Sequence, residues 1–170
     1  MSAILTLGSE LHTELMAHLL PPDCDQEQAA FLFAQMERDK RLVKFQVIEV
    51  EMLKSADFAA QEGDYLEMTD GTRARLIKHA HDLGACLVEM HSHLGQWPAA
   101  FSPSDRSGLM DTVPHMWWRL KGRPYLAIVV AQSGFDALLW LDNPRIPGPL
   151  TAIYAGKRLL RPTNNSLKGW

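Results

Sequence analysis

The segment from Thr69 to His93 constrains the fold most, because its hydrophobic period changes once, at Gly84. Before the glycine, Leu76, Ala80 and Leu83 share one stripe of a helix over 70–83, with Thr69 or Asp70 as its cap and Gly84 as its stop. After it, Ala85 to His91 is a short apolar run that reads as a strand. Helix, glycine, strand is the grammar of a layered protein, with helices packed against a sheet.

The flanking sequence continues the alternation. Leu11, Leu15 and Leu19 recur at helical spacing between Ser9, a candidate cap, and Leu20, and Pro21-Pro22 ends the helix. Gln28 to Met36 and Leu42 to Leu53 read as a strand pair across the charged turn Glu37 to Arg41. Ser55 to Thr69 is polar and is expected to be a long loop or insertion. Ser102-Pro103-Ser104-Asp105 opens another helix, with serine as cap and proline at the first helical position, and Pro114 is expected to restart or kink it. Tyr125 to Ala131 and Phe135 to Leu141 meet at Ser133-Gly134, a hairpin signal. Leu150 to Leu160 fits a strand or a helix equally, and the polar tail 162–170 is expected to fray. The expected class is α/β or α+β: one domain over 1–170 with a mixed sheet flanked by helices.

Size and charge narrow the function. A chain of 170 residues is too short for a (β/α)8 barrel of about 250 residues. With 17 Lys+Arg against 20 Asp+Glu, the net charge of -3 argues against nucleic-acid or anionic-membrane binding. No apolar run reaches the roughly 20 residues of a membrane span. The apolar stretch Ala3 to Leu7 lacks the preceding basic residue of a signal peptide. Cys24 and Cys86 form neither a CxxC nor a disulfide framework. A cytoplasmic protein is expected.

Two His-x-His pairs carry the chemical signal, and geometry separates them. On a helix, His79 and His81 point about 200° apart around the axis and cannot share an ion. On a strand, His91 and His93 lie on one face. Two imidazoles leave a catalytic metal site incomplete, since such a site commonly has three protein ligands. No His-x-His-x-Asp-His string and no downstream Glu follow, so metallo-β-lactamase and cupin patterns are missing. Asp105 does follow, in the first turn of a capped helix facing back toward His93. It can serve as a plain capping-box residue, a metal ligand or both.

His91-Ser92-His93 followed by Ser102-x-x-Asp105 resembles the signature of the JAMM, or MPN+, metalloprotease family. The resemblance covers about Ser9 to Leu141. It departs in having eight residues between His93 and Ser102, Leu94 where proline is common, and Val88-Glu89-Met90 in place of Gly-Trp-Tyr. It implies a single MPN/JAB-type domain with a mostly antiparallel sheet and cytidine-deaminase-like layering. It further implies a zinc ion on His91, His93 and Asp105. Glu27, in the setting Glu27-Gln28-Ala29-Ala30-Phe31-Leu32, would be the proton-transferring acid, with Glu49, Glu51 and Glu89 as competitors. Ser102 would donate to the oxyanion, and Ser92 would tie the strand end.

The activity so implied is zinc-dependent isopeptidase or peptidase cleavage at the C-terminus of a ubiquitin-like protein, similar to deubiquitinases. The short chain resembles the bacterial branch, whose partners include ubiquitin-like conjugates and E1-like and E2-like enzymes. The substrate tail would add as a strand to the insertion Ser55 to Thr69, with Asp57 to Met68 ordering on binding and the Trp97 loop as second wall. The alternatives are processing of a sulfur-carrier protein and a non-catalytic MPN scaffold or binding module.

Overall fold

In the computed structural model, which describes residues Met1–Trp170, eight strands form one mixed sheet and three helices cover its two faces. The elements are β1 (Ser2–Leu7), α1 (Ser9–Leu19), β2 (Ala29–Arg38), β3 (Leu42–Met52), β4 (Phe58–Gln61), β5 (Leu66–Met68), α2 (Asp70–Leu83), β6 (Cys86–Ser92), α3 (Pro103–Arg119), β7 (Tyr125–Ala131), β8 (Gly134–Trp140), β9 (Ala152–Ala155) and β10 (Arg158–Leu160). The sheet runs β10-β9-β1-β3-β2-β6-β7-β8, and β4 with β5 makes a separate two-stranded ribbon. The pairs β1–β3, β1–β9 and β6–β7 are parallel and the others antiparallel, so the α/β expectation holds. No helix is long and apolar enough to cross a membrane.

Each face of the sheet buries its own core. Leu15 and Leu19 of α1 pack on Leu5, Leu32, Phe45, Val88 and Ile128. On the other face, Leu76 of α2 and Val113 and Met116 of α3 pack on Phe31, Phe33, Leu87 and Trp140. Strand β7 is therefore buried on both sides, whereas β6 is apolar toward α1 and carries Leu87, Glu89 and His91 on the opposite face.

A bulge reconciles the long strand β3 with these two cores. Phe33 pairs with Glu49 but Ala34 pairs with Val47, which leaves Ile48 as the extra residue. A one-residue shift exchanges the faces of everything beyond it. Val43, Phe45 and Val47 thus face α1, and so do Val50 and Met52, which strict alternation would turn the other way. Glu49 and Glu51 are carried to the α2 side, where Glu49 meets His79 at 2.6 Å and Glu51 pairs with Arg75.

Helix ends follow the sequence signals with one exception. The Thr69 hydroxyl accepts the Thr72 N–H at 3.1 Å, and Gly84 takes the left-handed conformation at φ 63°. Ser9, however, is the first residue of α1 and not its cap; Gly8 occupies that position without a side-chain bond.

Several expectations are corrected. The expected loop Ser55 to Thr69 is a 3-10 turn, Ser55–Asp57, leading into the β4–β5 ribbon. The helix α3 continues through Pro114. Leu150 to Leu160 resolves into the β9–β10 hairpin, turning at Gly156 with φ 62°. The tail after Arg161 does not fray but docks. The buried Ser166 donates its N–H to Asp136 Oδ2 at 2.8 Å, accepts the Phe101 N–H on its hydroxyl at 2.8 Å and accepts from Arg106 on its carbonyl at 2.8 Å. Asp136 is a buried carboxylate in β8, and the Ser166 N–H on Oδ2 and the Ala137 N–H on Oδ1 at 2.9 Å are what permit its burial.

Candidate metal centre

Strand register brings the first residues together. In the β2–β6 pair Ala29 faces His91. One step further out Gln28 meets Ser92: the Ser92 N–H donates to the Gln28 carbonyl at 2.9 Å, and the Gln28 N–H donates to the buried Ser92 Oγ at 2.9 Å. Continuing that antiparallel register sets Glu27 opposite His93, on one face. Glu27 Oε1 indeed lies 3.8 Å from His93 Nε2. Ser92 is thus the clasp that sets the carboxylate against the imidazoles, as a residue tying the strand end should. His93 itself is held past the strand end by its N–H bond to the Val130 carbonyl, 2.8 Å.

The helix α3 delivers the third ligand candidate. Ser102 Oγ accepts the Asp105 N–H at 3.1 Å, and Asp105 Oδ2 accepts the Ser102 N–H at 2.7 Å, a complete capping box. The box fixes the Asp105 side chain toward the strand end. His91 Nε2 lies 3.2 Å from His93 Nε2 and 3.5 Å from Asp105 Oδ1, and His93 Nε2 lies 3.1 Å from Asp105 Oδ2.

These spacings fit a cation. Ligands about 2.0–2.1 Å from a tetrahedral zinc are about 3.3 Å from one another. Two imidazoles that aim the same nitrogen at one another and at one carboxylate share a single focal point. His91, His93 and Asp105 could hold a metal ion, as a cluster whose donor atoms all lie within 4.8 Å of one another.

The electrostatics agree with a crowded, half-buried site. Burial pushes the Asp105 carboxyl up, but hydrogen bonds from His91 and His93 outweigh it and hold the group well below the usual carboxylate range. Burial pulls the His91 imidazole down, yet the Asp105 carboxylate beside it leaves it raised. Glu27 is pushed up to about 7 by burial, opposed by His91 and His93 and assisted by Asp105 and Asp64. It is one of the few buried acids in the protein, 5% exposed.

A cleft of about 420 Å³ opens from these residues between the ribbon and α3. Asp64, Tyr65, Leu66 and Met68 form one wall, and Ser104, Gly108 and Asp111 the other. The ribbon also braces Glu27: the Glu27 N–H donates to the Glu62 carbonyl at 2.8 Å, and Gln61 donates to the Glu27 carbonyl at 3.0 Å. Trp97 is 83% exposed and does not line the cleft, so the second wall is α3 and not the Trp97 loop.

The structure brings Glu27, His91, His93 and Asp105 together, and Ser102 adjoins them through its capping box with Asp105. Two competing acids are elsewhere, Glu49 on His79 and Glu51 on Arg75. Glu89 lines the cleft but receives the Tyr125 hydroxyl. Residues that sequence reasoning missed are Gln61, Asp64, Arg73 and Tyr125. Their signals were weak; the alternation of Leu66 and Met68 about Glu67, inside a stretch read as loop, is the one local feature that could have revealed the ribbon.

Comparison with known proteins adds little. No protein-family model matches the chain, and no curated protein does. Among solved structures it is similar to the STIL N-terminal domain of Trichoplax adhaerens, at 10% identity over 76% of this chain, with a TM-score of 0.37. The chain spans 37% of that structure's length. A likeness so distant carries nothing about fold or function.

Proposed function

We propose that this chain is a zinc metallopeptidase of the JAMM/MPN+ type, a cytoplasmic hydrolase that cleaves an isopeptide or peptide bond at the C-terminus of a ubiquitin-like protein. One observation carries the reading: two imidazoles from a strand end and a carboxylate from a capped helical turn converge within 3.1–3.5 Å, with the buried Glu27 carboxylate 3.8 Å away. A mixed nitrogen and oxygen donor set favours zinc over magnesium or calcium, which take all-oxygen shells. A bound zinc would supply Lewis acidity and lower the pKa of a water toward about 7.

The chain's own residues supply the rest. Glu27 Oε1 takes the proton as a water oxygen bonds to the scissile carbonyl carbon. The same carboxyl returns that proton to the amine nitrogen as the C–N bond breaks. Ser102 Oγ accepts the Asp105 N–H, which leaves its own hydroxyl proton free to donate to the developing oxyanion. The β4–β5 ribbon pairs with no other strand, so it keeps a free edge beside the cleft to which an extended tail can add.

The test is cleavage of candidate ubiquitin-like fusions, taken from genes neighbouring that of this protein, by the purified full chain. The wild type should release the fused partner, and Glu27→Gln should keep the metal while losing about 10²–10⁴-fold in rate. A Glu27→Gln variant that cleaves at the wild-type rate would remove Glu27 from the chemistry. A metal-loaded wild type that cleaves none of them would favour the scaffold alternative.

A further inference from the structure

The two edges of the sheet approach one another on the face away from the metal centre. Residues of both β8 and β10 line one cavity, and the Thr163 N–H, just past β10, donates to the Phe135 carbonyl of β8 at 2.9 Å. The sheet therefore curls around α1 as a partly closed barrel, and the mouth of a barrel is a common place for a ligand. An 11-residue helix does not fill it. A cavity of about 280 Å³ remains beside α1, and 12 of its 16 lining residues are hydrophobic. Leu15 and Met16 of α1, Leu32 of β2, Val130 of β7 and Ile153 of β9 form its walls.

Its polar lining is one-sided. His12, Gln132 and Arg158 line it and no carboxylate does. His12 and Arg158 stand close enough for the guanidinium to lower the imidazole's pKa, after burial, the larger cause. Arg158 is then the one fixed charge on an apolar wall that no carboxylate lines, and the uncharged His12 beside it offers a ring N–H to the same ligand group. A carboxylate is the group that satisfies a guanidinium there, bidentately. At about 30 Å³ per heavy atom, the share of a water in the liquid, the cavity takes about nine heavy atoms, enough for the eight carbons of octanoate with its two oxygens at the mouth, where Arg158 is exposed.

We propose that this cavity is a binding site for a medium-chain fatty acid of about eight carbons, with its alkyl chain beneath α1 and its carboxylate on Arg158 and His12. The site is separate from the metal centre and does not depend on the reading given to it. Its floor is the reverse face of strands that also lead to the metal ligands, since Met90 lines it one residue before His91.

Isothermal titration of the full chain with octanoate, 1-octanol and butyrate tests this. One octanoate should bind per chain. Octanol, lacking the charge, and butyrate, lacking the chain length, should each bind at least about tenfold more weakly. Arg158→Glu lies on an exposed strand residue, and an unchanged circular dichroism spectrum and thermal unfolding midpoint would show that it folds. It should weaken octanoate at least about tenfold and leave octanol unchanged. On adding octanoate, the Met16 methyl signal should shift. No octanoate binding at millimolar concentration, equal binding of octanoate and octanol, or undiminished binding by Arg158→Glu would each overturn the proposal.

Discussion

Replacing Ser166 by alanine should destabilise the protein by about 1–3 kcal/mol, although the residue lies in a polar tail with no part in the chemistry. The reason is a single acceptor. Ser166 Oγ takes the N–H of Phe101, whose residue is only 4% exposed, so the substitution strands a buried donor without water. The bonds to Asp136 and Arg106 use the Ser166 backbone and survive. Each kcal/mol lowers Tm by about 2–4 °C in a domain of this size, so the expected drop is about 2–12 °C. Urea unfolding at neutral pH should show a lower midpoint with an unchanged m-value. Asp136→Asn should cost at least as much, because an amide NH2 then faces one of the two N–H donors now bound to carboxylate oxygens. The double variant should be sub-additive, since both residues belong to one network. Phe101 precedes the α3 cap, so Ser166→Ala should also weaken metal binding. A Ser166→Ala stability within about 0.5 kcal/mol of wild type would refute the account of the tail as a buried anchor of α3.

Three further outcomes are expected. Ser102→Ala should lose about 0.5–2 kcal/mol of stability through the cap and about 10²–10³-fold of turnover; Ser102→Gly should lose only a few tenths of a kcal/mol with the same turnover defect, as read by thermal unfolding and cleavage assays. The Lys54 N–H, and after it Arg75 against an opposing burial effect, hold the Asp57 carboxyl below its ordinary 3.8; its contribution is therefore complete above that value and lost as pH falls through the lower folded one. The stability gap between wild type and Asp57→Asn, about 1–2 kcal/mol at neutral pH, should close in acid, and a gap independent of pH would contradict the hold of the Lys54 N–H and Arg75 on the charged carboxylate. Burial pushes the Cys86 thiol up to about 11 while Cys24 is only half-buried, so a thiol reagent should titrate one cysteine quickly and the second only in denaturant.

Legibility in the sequence followed locality. Helix α2, strand β6 and the α3 capping box were readable because cap, stop and period lie within a few residues of one another. The His91, His93 and Asp105 cluster was readable for the same reason: the extended chain at the end of β6 sets His91 and His93 side by side, and the cap aims Asp105. Strand β1 was not readable as a strand, because its partners β3 and β9 are parallel and remote, Ile4 facing both Lys44 and Ala152. The bulge at Ile48 left no local signal either, and it decides which face Glu49 and Glu51 occupy. The tail looked free because its polar residues are indistinguishable from solvated ones until Asp136 is seen buried against Ser166. Glu27 was placed by its sequence setting, but its distance to His93 comes from register alone.

Metal stoichiometry shows whether His91, His93 and Asp105 share one ion. After zinc loading and dialysis, elemental analysis of the folded chain should find about one zinc in wild type and in Glu27→Gln, and almost none in Asp105→Ala or His93→Ala. A wild type that keeps no metal, or an Asp105→Ala variant that keeps its full complement, would contradict the convergence of His91, His93 and Asp105 on one cation.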